Sequence, residues 1–315
     1  MIRYLTELSL EHFTEAARNV PYQQIQSGLF FGADVWIRRD DLIDPLLSGN
    51  KAYKLIYNLL EARKQGKDTI VTCGGAWSNH IHATAAAGQR FGFKTVGIIR
   101  GERPAKLSAM LQDSERFGME LRFVDRSLYR ERHQKGFLER VDMCLLDSWF
   151  IPEGGANLEG GRGVQLLGKI IGEASPIGFD ECWCPCGTGL TLGALTSSLP
   201  SSTQPVGVPV LKAEESILAI VKEWGSSGGE IKPPMLISDA QHGGYGKRSE
   251  QLDAFQARFE ALAGFGLDHV YTAKLAFALE ARLKGESKVY HGDHKTRVLL
   301  LHTGGLQGRR GLYGA

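Results

Sequence analysis

The 315-residue sequence lacks the features that mark membrane, secreted and nucleic-acid-binding proteins. It has no run of about 18 apolar residues and so predicts no transmembrane helix and no membrane partner. Its charged N-terminal stretch has no apolar core of a signal peptide. Because the 37 basic residues are nearly balanced by 35 acidic ones, no nucleic-acid partner is expected. The five cysteines are interpreted as reduced thiols of a cytoplasmic protein.

Glycine is the residue that the sequence has in excess, with 39 in 315 positions and no Gly-X-Y repeat. Many of these glycines cluster in short stretches that follow apolar runs. Glycine accepts backbone conformations closed to other residues and lets the backbone approach a ligand closely. The excess therefore predicts tight turns around a bound ligand.

Short apolar runs alternate with helical stretches from residue 69 onward. Buried strands are predicted at Thr69–Cys73, Thr95–Ile99, Glu120–Val124, Ser148–Ile151, Glu181–Pro185, Val206–Leu211 and Val298–His302. Continuous apolar strands separated by helices favour parallel sheets covered on both faces. The predicted fold class is therefore α/β and doubly wound.

Glycine- and proline-containing stretches near residues 44–49 and 152–163 predict two domains. A small domain is expected at 51–156, and segments 1–50 and 157–315 are expected to combine into a large one. Within the small domain, a single helix is predicted over Ser127–Leu145.

A helix start with two lysines follows Ser48-Gly49-Asn50. Lys51 lies in the predicted first turn, where the helix dipole disfavours a cation, and Lys54 follows on the same face. A lysine in this position can have a lowered pKa and form an imine with a carbonyl compound. The alternative is a solvated lysine, which the spacing alone favours because lysines are mostly exposed.

Ser78, Asn79 and His80 follow the predicted strand Thr69–Cys73 at the start of a helix. Ligands of α/β proteins bind at the carboxyl ends of parallel strands. The hydroxyl, the amide and the free backbone N–H groups suit a carboxylate, although simple capping by Ser78 or Asn79 accounts for the pattern equally well. Trp77 adds a large flat ring beside this stretch.

The stretch from Gly187 to Thr191 joins another strand to a helix. Its N–H groups and threonine hydroxyls suit a phosphate monoester, and a tight turn without a ligand is the alternative. The glycine spacing matches neither nucleotide-binding motif. Cys182, Cys184 and Cys186 share one face of the preceding strand, but their spacing is not that of zinc ligands, so no metal is predicted.

Three C-terminal stretches place hydroxyl groups at loops or element ends. They contain Tyr245, then Tyr271 with Thr272, and finally Thr303. Such groups can donate or relay protons. Tyr271 taken alone is more typical of packing at a strand end, and the stretch with Thr303 is the stronger signal because it follows a buried strand.

Six stretches in this order carry a resemblance to one family. They are Arg39-Asp40-Asp41-Leu42 with Ser48-Gly49-Asn50-Lys51 and Lys54, Gly74-Gly75 with Ser78-Asn79-His80, Ile151-Pro152 with Gly154-Gly155-Ala156-Asn157, Cys186-Gly187-Thr188-Gly189, Val270-Tyr271-Thr272 with Lys274, and His302-Thr303-Gly304-Gly305. Over about residues 38–313 the sequence resembles the D-cysteine desulfhydrase / 1-aminocyclopropane-1-carboxylate (ACC) deaminase family. These are pyridoxal-phosphate (PLP) enzymes with the two αβα domains of the tryptophan synthase β-subunit fold.

The resemblance implies PLP as the cofactor. Lys51 would bind it covalently, Asn79 would bond its 3′-oxygen, and Thr272 or Thr303 would face the pyridine nitrogen. The residues that would hold the phosphate are Lys54, Gly187, Thr188, Gly189 and Thr191. A homodimer is also expected from the family.

The resemblance further assigns the substrate contacts. Ser78, with Asn79 and His80, would receive the carboxylate of a small amino acid, and Trp77 would lie beside it. Tyr245 and Tyr271 would flank the substrate. The implied catalytic residues are Lys51, Ser78, Tyr245 and Tyr271.

The implied function is that of a lyase or deaminase that releases ammonia and a 2-keto acid. Lys51 would act as the general base on D-cysteine, giving pyruvate, hydrogen sulfide and ammonia. ACC has no α-hydrogen, so Ser78, Tyr245 or Tyr271 would have to open its ring, with 2-oxobutyrate as the product. Thr272, where ACC deaminases carry Glu, and His80, where they carry Gln, favour D-cysteine.

Two departures from the family keep a third hypothesis open. Trp77 stands where the family usually has Gln, and Glu153 adds a charge where a small or apolar residue is common. A protein that binds PLP or a metabolite with little turnover is the alternative that these residues leave.

Overall fold

The computed structural model describes residues 5–26, 28–143, 146–225, 232–286 and 295–311. Its strands, in chain order, are β1 (Tyr22–Gln24), β2 (Ala33–Arg38), β3 (Thr69–Gly74), β4 (Lys94–Arg100), β5 (Met119–Val124), β6 (Ser148–Ile151), β7 (Glu181–Cys186), β8 (Gln204–Pro209), β9 (Met235–Leu236) and β10 (Thr296–Leu301). Each strand predicted from an apolar run is present, with its ends shifted by at most two residues.

Helices connect these strands and cover the sheets. They are α1 (Leu10–Arg18), α2 (Asn50–Lys64), α3 (Asn79–Phe91), α4 (Ala109–Arg116), α5 (Arg126–Arg130), α6 (Phe137–Arg140), α7 (Leu158–Ala174), α8 (Leu190–Thr196), α9 (Glu214–Gly225), α10 (Glu250–Ala263) and α11 (Thr272–Glu286). Several begin at a serine whose hydroxyl accepts a backbone N–H of the first turn, as Ser78 does for α3.

The described strands form two sheets. One has the order β1-β2-β10-β7-β8-β9 and the other the order β5-β4-β3-β6. The pair β1–β2 is antiparallel, whereas the other described pairs are parallel. The predicted α/β class with mostly parallel sheets is therefore confirmed.

The two sheets divide the chain near the predicted boundaries. The strands of the smaller sheet lie within 51–156, and those of the larger sheet lie outside it. Helix α2 belongs to the middle segment but packs tightly on α7: a Cβ placed on Gly163 would lie 1.7 Å from the Tyr53 carbonyl oxygen. We propose 51–156 as the small domain, with α2 as the helix that joins it to the large one.

One predicted helix is wrong. The segment Ser127–Leu145 contains two short helices, α5 and α6, instead of one long one, and its last two residues lie outside the described ranges. Gly136, just before α6, has a φ of 80°, a left-handed conformation that interrupts a right-handed helix.

Strand β7 separates the two largest clusters of buried apolar side chains. Its three cysteines all face one cluster, together with α2 and α7, while Trp183 faces the other. The predicted shared face of the cysteines is thus confirmed. Within the described ranges, no group of three His, Cys, Asp or Glu side chains is arranged to hold a metal ion, and no helix is long and apolar enough to cross a membrane.

Candidate active site

Most of the predicted site residues lie at the carboxyl ends of parallel strands or at the helix starts that follow them. Ser78, Asn79 and His80 follow β3, the stretch Gly187–Thr191 follows β7, and Thr303 follows β10. Lys51 and Lys54 lie in the first turns of α2, which starts beside the turn after β10. The fold therefore brings segments from both sheets together at one site.

Lys51 lies at the positive end of α2, with its ammonium 3.2 Å from the Asn50 side-chain oxygen. Burial lowers the pKa of Lys51 from 10.5 to about 8, against a smaller opposite effect of the Asp268 carboxylate. A substantial share of this amine is therefore neutral near pH 8, which is the form that attacks carbonyl carbons.

Lys54 is a second buried cation, one turn further along α2. Its ammonium donates to the carbonyl of Gly154 at 3.1 Å. Burial, and then the charge of Lys51, hold the pKa of Lys54 well below its ordinary value. An anion beside these two amines would raise the pKa of both and stabilise their charged forms.

Gly154 and Gly155 bring the chain close to these lysines and to the loop after β7. Gly155 has a φ of 73°, and a Cβ there would lie 3.0 Å from the Lys54 Cβ and 3.4 Å from the His80 ring. A Cβ on Gly154 would lie 3.1 Å from the Thr188 methyl group. The predicted phosphate residues Lys54 and Thr188 thus both lie against the turn formed by Gly154 and Gly155.

Asn79 and His80 carry buried polar atoms without hydrogen-bond partners among the described residues. These atoms are the Asn79 Oδ1 and both ring nitrogens of His80. Burial and the charges of Lys51 and Lys54 hold the pKa of His80 well below its ordinary value, so the ring is neutral, with one donor and one acceptor. Buried polar atoms are normally paired, and these therefore indicate a polar ligand.

Ser78 and Trp77 have different neighbours. The Ser78 hydroxyl oxygen accepts the Ile81 N–H at 3.3 Å and retains its own proton for a second partner. The six-membered ring of Trp77 lies against the C-terminal turn, where a Cβ on Gly311 would be 2.7 Å away. The role of Trp77 beside the substrate stays a prediction, and the structure gives its ring a packing partner.

Tyr271 and Tyr245 pack against each other at the exposed side of the site. Their ring centroids are 6.0 Å apart at an angle of 76°. Tyr271 borders the predicted phosphate loop, since a Cβ on Gly187 would lie 3.4 Å from its hydroxyl. Burial holds the pKa of Tyr271 well above its ordinary value, so the phenol is a proton donor at neutral pH.

Asp268 is a buried site residue that the sequence analysis missed. Its carboxylate accepts the backbone N–H groups of Val270, Tyr271 and Thr272 at 2.8–3.0 Å, which fixes the start of α11. The Thr272 hydroxyl donates back to the Asp268 carbonyl at 3.2 Å. An aspartate shortly before a predicted helix start is a recognisable capping signal, but its charge near Lys51 depends on the fold.

The geometry fits PLP. Lys51 supplies a partly neutral amine, and Lys54 with the Gly187–Thr191 stretch supplies positive charge and donors for a phosphate. The unpartnered His80 ring supplies one N–H donor for a ring oxygen or a carboxylate, and the unpartnered Asn79 Oδ1 is an acceptor for a ligand donor. Fold and site together define an α/β enzyme whose chemistry depends on a lysine and a phosphorylated carbonyl cofactor.

Comparison with known proteins agrees with this class. The model of the family described as "Pyridoxal-phosphate dependent enzyme" matches residues 14–304. The chain therefore belongs to the PLP-dependent enzymes, and within them to the family of ACC deaminases and D-cysteine desulfhydrases.

Curated relatives carry both of these activities in their names. The chain is 31% identical over 291 residues to a putative 1-aminocyclopropane-1-carboxylate deaminase of Pyrococcus horikoshii, covering 88% of this chain and 86% of the relative. It is also 31% identical over 297 residues to a D-cysteine desulfhydrase of Yersinia enterocolitica, covering 88% of each. The crystal structure of an ACC deaminase homologue matches with a TM-score of 0.76 at 29% identity, over 92% of this chain and 90% of that one.

Proposed function

We propose that the protein is a PLP-dependent lyase that releases ammonia and a 2-keto acid from a small amino acid, with D-cysteine as its substrate. The observation that carries the proposal is the partly neutral Lys51 amine beside the unpartnered atoms of Asn79 and His80. A homodimer in the cytoplasm stays a prediction from the sequence.

Ser78, Asn79 and His80 would bind the substrate carboxylate. The Ser78 hydroxyl still has a proton to donate, and the neutral His80 ring has one N–H donor. Because His80 is buried and uncharged, it adds orientation without another positive charge.

Lys51 would remove the α-proton. Bound PLP withdraws electrons from the α-carbon and makes this proton acidic. The neutral amine is present at moderate pH because burial lowers the pKa of Lys51 to about 8. As the β-carbon–sulfur bond breaks, the phenol of Tyr271, which keeps its proton, would donate a hydrogen bond to the departing thiolate. The proton taken up by Lys51 would complete hydrogen sulfide. D-cysteine and one water would then give pyruvate, ammonia and hydrogen sulfide.

ACC deamination is the second candidate. The bifunctional and ACC-deaminase names among the relatives favour it. Thr272 argues against it, because its hydroxyl is held by Asp268 and offers no carboxylate beside Tyr271. A protein that binds PLP with little turnover is the third candidate.

The experiment that tests the proposal is keto-acid release from a panel of D- and L-amino acids and ACC. We expect a yellow protein, a visible band lost on borohydride reduction with the label on Lys51, and pyruvate from D-cysteine. Release of 2-oxobutyrate from ACC alone would select the second candidate. Spectral shifts without any keto acid would select the third, and a protein that stays colourless with added PLP would contradict all three.

A further inference from the structure

Lys274 is a fully buried lysine whose role the reaction above leaves open. It lies in the first turn of α11, three residues after Tyr271, and none of its surface is exposed. Its ammonium donates to the backbone carbonyls of Val210 at 3.4 Å, Gln241 at 2.8 Å and Gly244 at 2.7 Å. An ammonium has three N–H donors, so these three carbonyls use its full capacity.

Two of the three carbonyls belong to the segment that leads into Tyr245. Gln241 and Gly244 precede it by four residues and by one. Gly244 and Gly246, on either side of Tyr245, have positive φ values, and a Cβ on either would meet nothing within 4 Å. The backbone around Tyr245 therefore has little packing of its own, and the ammonium of Lys274 ties it to α11.

Within the described ranges, the other hydrogen bonds of Gln241, His242 and Gly244 do not involve α11. The Gly244 N–H donates to the Gln241 carbonyl at 3.0 Å within one turn, and the Gln241 side chain donates to Glu214 at 3.0 Å. His242 lies 2.8 Å from the Ser249 hydroxyl. Lys274 thus joins the backbone of this segment to α11 by hydrogen bonds. The ring contacts of His242 with Phe277 and of Tyr245 with Tyr271 add to this connection.

Because Lys274 is buried, the folded protein depends on the hydrogen bonds that its ammonium makes. A buried cation is costly unless acceptors compensate for its lost hydration. Burial lowers the pKa of Lys274 to about 8, and the Asp268 carboxylate partly offsets this. Asp268 also caps α11 through three backbone N–H groups. Both charged groups thus act on the few residues that carry the tyrosine pair.

We propose that Lys274 is a positioning residue that holds Tyr245 against Tyr271 at the exposed side of the site. It does not touch the reacting atoms; it fixes the Gln241–Gly244 backbone, which fixes the Tyr245 ring. The catalytic consequence depends on the proposed function, in which the two phenols flank the substrate, whereas the structural link does not.

Hydrogen–deuterium exchange of the PLP-loaded, substrate-free protein tests the link directly. In Lys274→Met, backbone amides of residues 241–247 should exchange about tenfold faster, since the carbonyls lose a charged donor. Lys284→Met, at an exposed position of the same helix, is the matched control and should exchange like the wild type. Unchanged exchange at 241–247 in Lys274→Met overturns the proposal.

Lys274→Arg is the second variant, should Lys274→Met not fold. It keeps the charge, but the N–H groups of a guanidinium lie in one plane and do not match the three tetrahedral directions in which an ammonium donates. Exchange of 241–247 should therefore lie between the rates of the wild type and of Lys274→Met, or simply exceed the wild-type rate if only this variant folds. Wild-type exchange in Lys274→Arg contradicts the proposed geometry.

A double-mutant cycle with Tyr245→Phe tests whether Lys274 acts through Tyr245. Lys274→Met should lower kcat/KM by on the order of 10- to 100-fold, the effect of misplacing a group beside the substrate. In the Tyr245→Phe background, the same change should lower it by no more than about twofold. Independent, multiplying losses would overturn the positioning role. If the protein turns over no substrate, the proposed function is contradicted. Hydrogen–deuterium exchange of residues 241–247 still tests whether Lys274 holds this segment.

Discussion

Replacing Lys51 with alanine should lower kcat/KM for the substrate by on the order of 10²- to 10⁴-fold, the usual contribution of a positioned proton-transfer group. The variant should still bind PLP through Lys54, Asn79 and the Gly187–Thr191 stretch, but borohydride should no longer fix the cofactor to the protein. Steady-state kinetics and mass spectrometry of the reduced protein measure the two effects separately.

Lys64→Ala is the matched control for this change. Lys64 lies in the last turn of the same helix, with its side chain 78% exposed in an i,i+3 pair with Glu61. It should keep wild-type activity and wild-type labelling. A Lys51→Ala protein that retains full turnover, or that is labelled on Lys54 at the wild-type rate, would show that Lys51 is not the reacting amine.

The stability of the cofactor-free protein should respond to the same substitution in a pH-dependent way. The pKa of Lys51 is lowered from 10.5 to about 8, so between these values the unfolded chain binds more protons than the folded one. The free energy of unfolding of the wild type therefore gains a contribution that rises with pH across this window. Lys51→Ala lacks that contribution. Between pH 7 and pH 10, the free energy of unfolding of the wild type should therefore rise relative to that of Lys51→Ala, as measured by denaturant titration.

The parts of the fold that were predictable are those in which local pattern and burial agree. The run Val298–Leu301 is apolar throughout because β10 lies between β2 and β7 in the larger sheet. Strand β2, from Ala33 to Arg38, escaped prediction because it mixes charged and apolar residues. Its Arg38 is fully buried yet paired with Asp40 and with the Tyr53 hydroxyl, contacts that only the fold creates.

Helix α1 was also not predicted, although Ser9 is a recognisable N-cap residue at its start. Ser9 caps it by accepting the His12 N–H, and Phe13 and Ala17 form its buried face. Leu10, Phe13 and Ala17 follow a helical spacing, but a helix of nine residues is too short to be stable alone, and packing of Phe13 edge-on to Tyr53 stabilises it.

The site was predictable to the extent that its residues stand in short ordered stretches. Ser78, Asn79 and His80 are consecutive, and capping of α3 places them together. The role of Lys274 was not predictable, because its acceptors lie 64, 33 and 30 residues away in the sequence. Backbone carbonyls, moreover, leave no signature in a sequence. Sequence motifs thus indicate which side chains react, whereas tertiary structure shows what holds them in place.

Replacing Gly49 with alanine should weaken PLP binding. Gly49 precedes α2 with a φ of 65°, and a Cβ there would lie 1.8 Å from the Thr303 carbonyl oxygen and 2.5 Å from the Gly304 nitrogen. The contact is with backbone, so no side chain can rotate away. Either the start of α2 with Lys51 or the turn with Thr303 must move.

The size of the effect follows from the strain. Overpacking of this kind typically costs about 1–3 kcal/mol. If the turn moves and must be restored when PLP binds, this corresponds to roughly 10- to 100-fold weaker PLP binding. Because Gly49 lies in a turn and not in a strand or helix, we expect the protein to fold, with a lower free energy of unfolding. PLP affinity from the visible band and denaturant titration measure the two.

Gly92→Ala is the control for a methyl group added at a glycine of positive φ away from the site. Gly92 ends α3 with a φ of 73° and a ψ of 35°, and a Cβ there meets nothing within 4 Å, whereas Gly49 has a ψ of −149°, a conformation essentially restricted to glycine. Gly92→Ala should lose only the about 1–2 kcal/mol of stability that a left-handed residue costs and bind PLP like the wild type. Equal PLP affinity in both variants would mean that the contact between Gly49 and Thr303 does not shape the cofactor site. A selective loss in Gly49→Ala would show that the close approach of the two chain segments, which only glycine permits, sets Lys51 and Thr303 on either side of the cofactor.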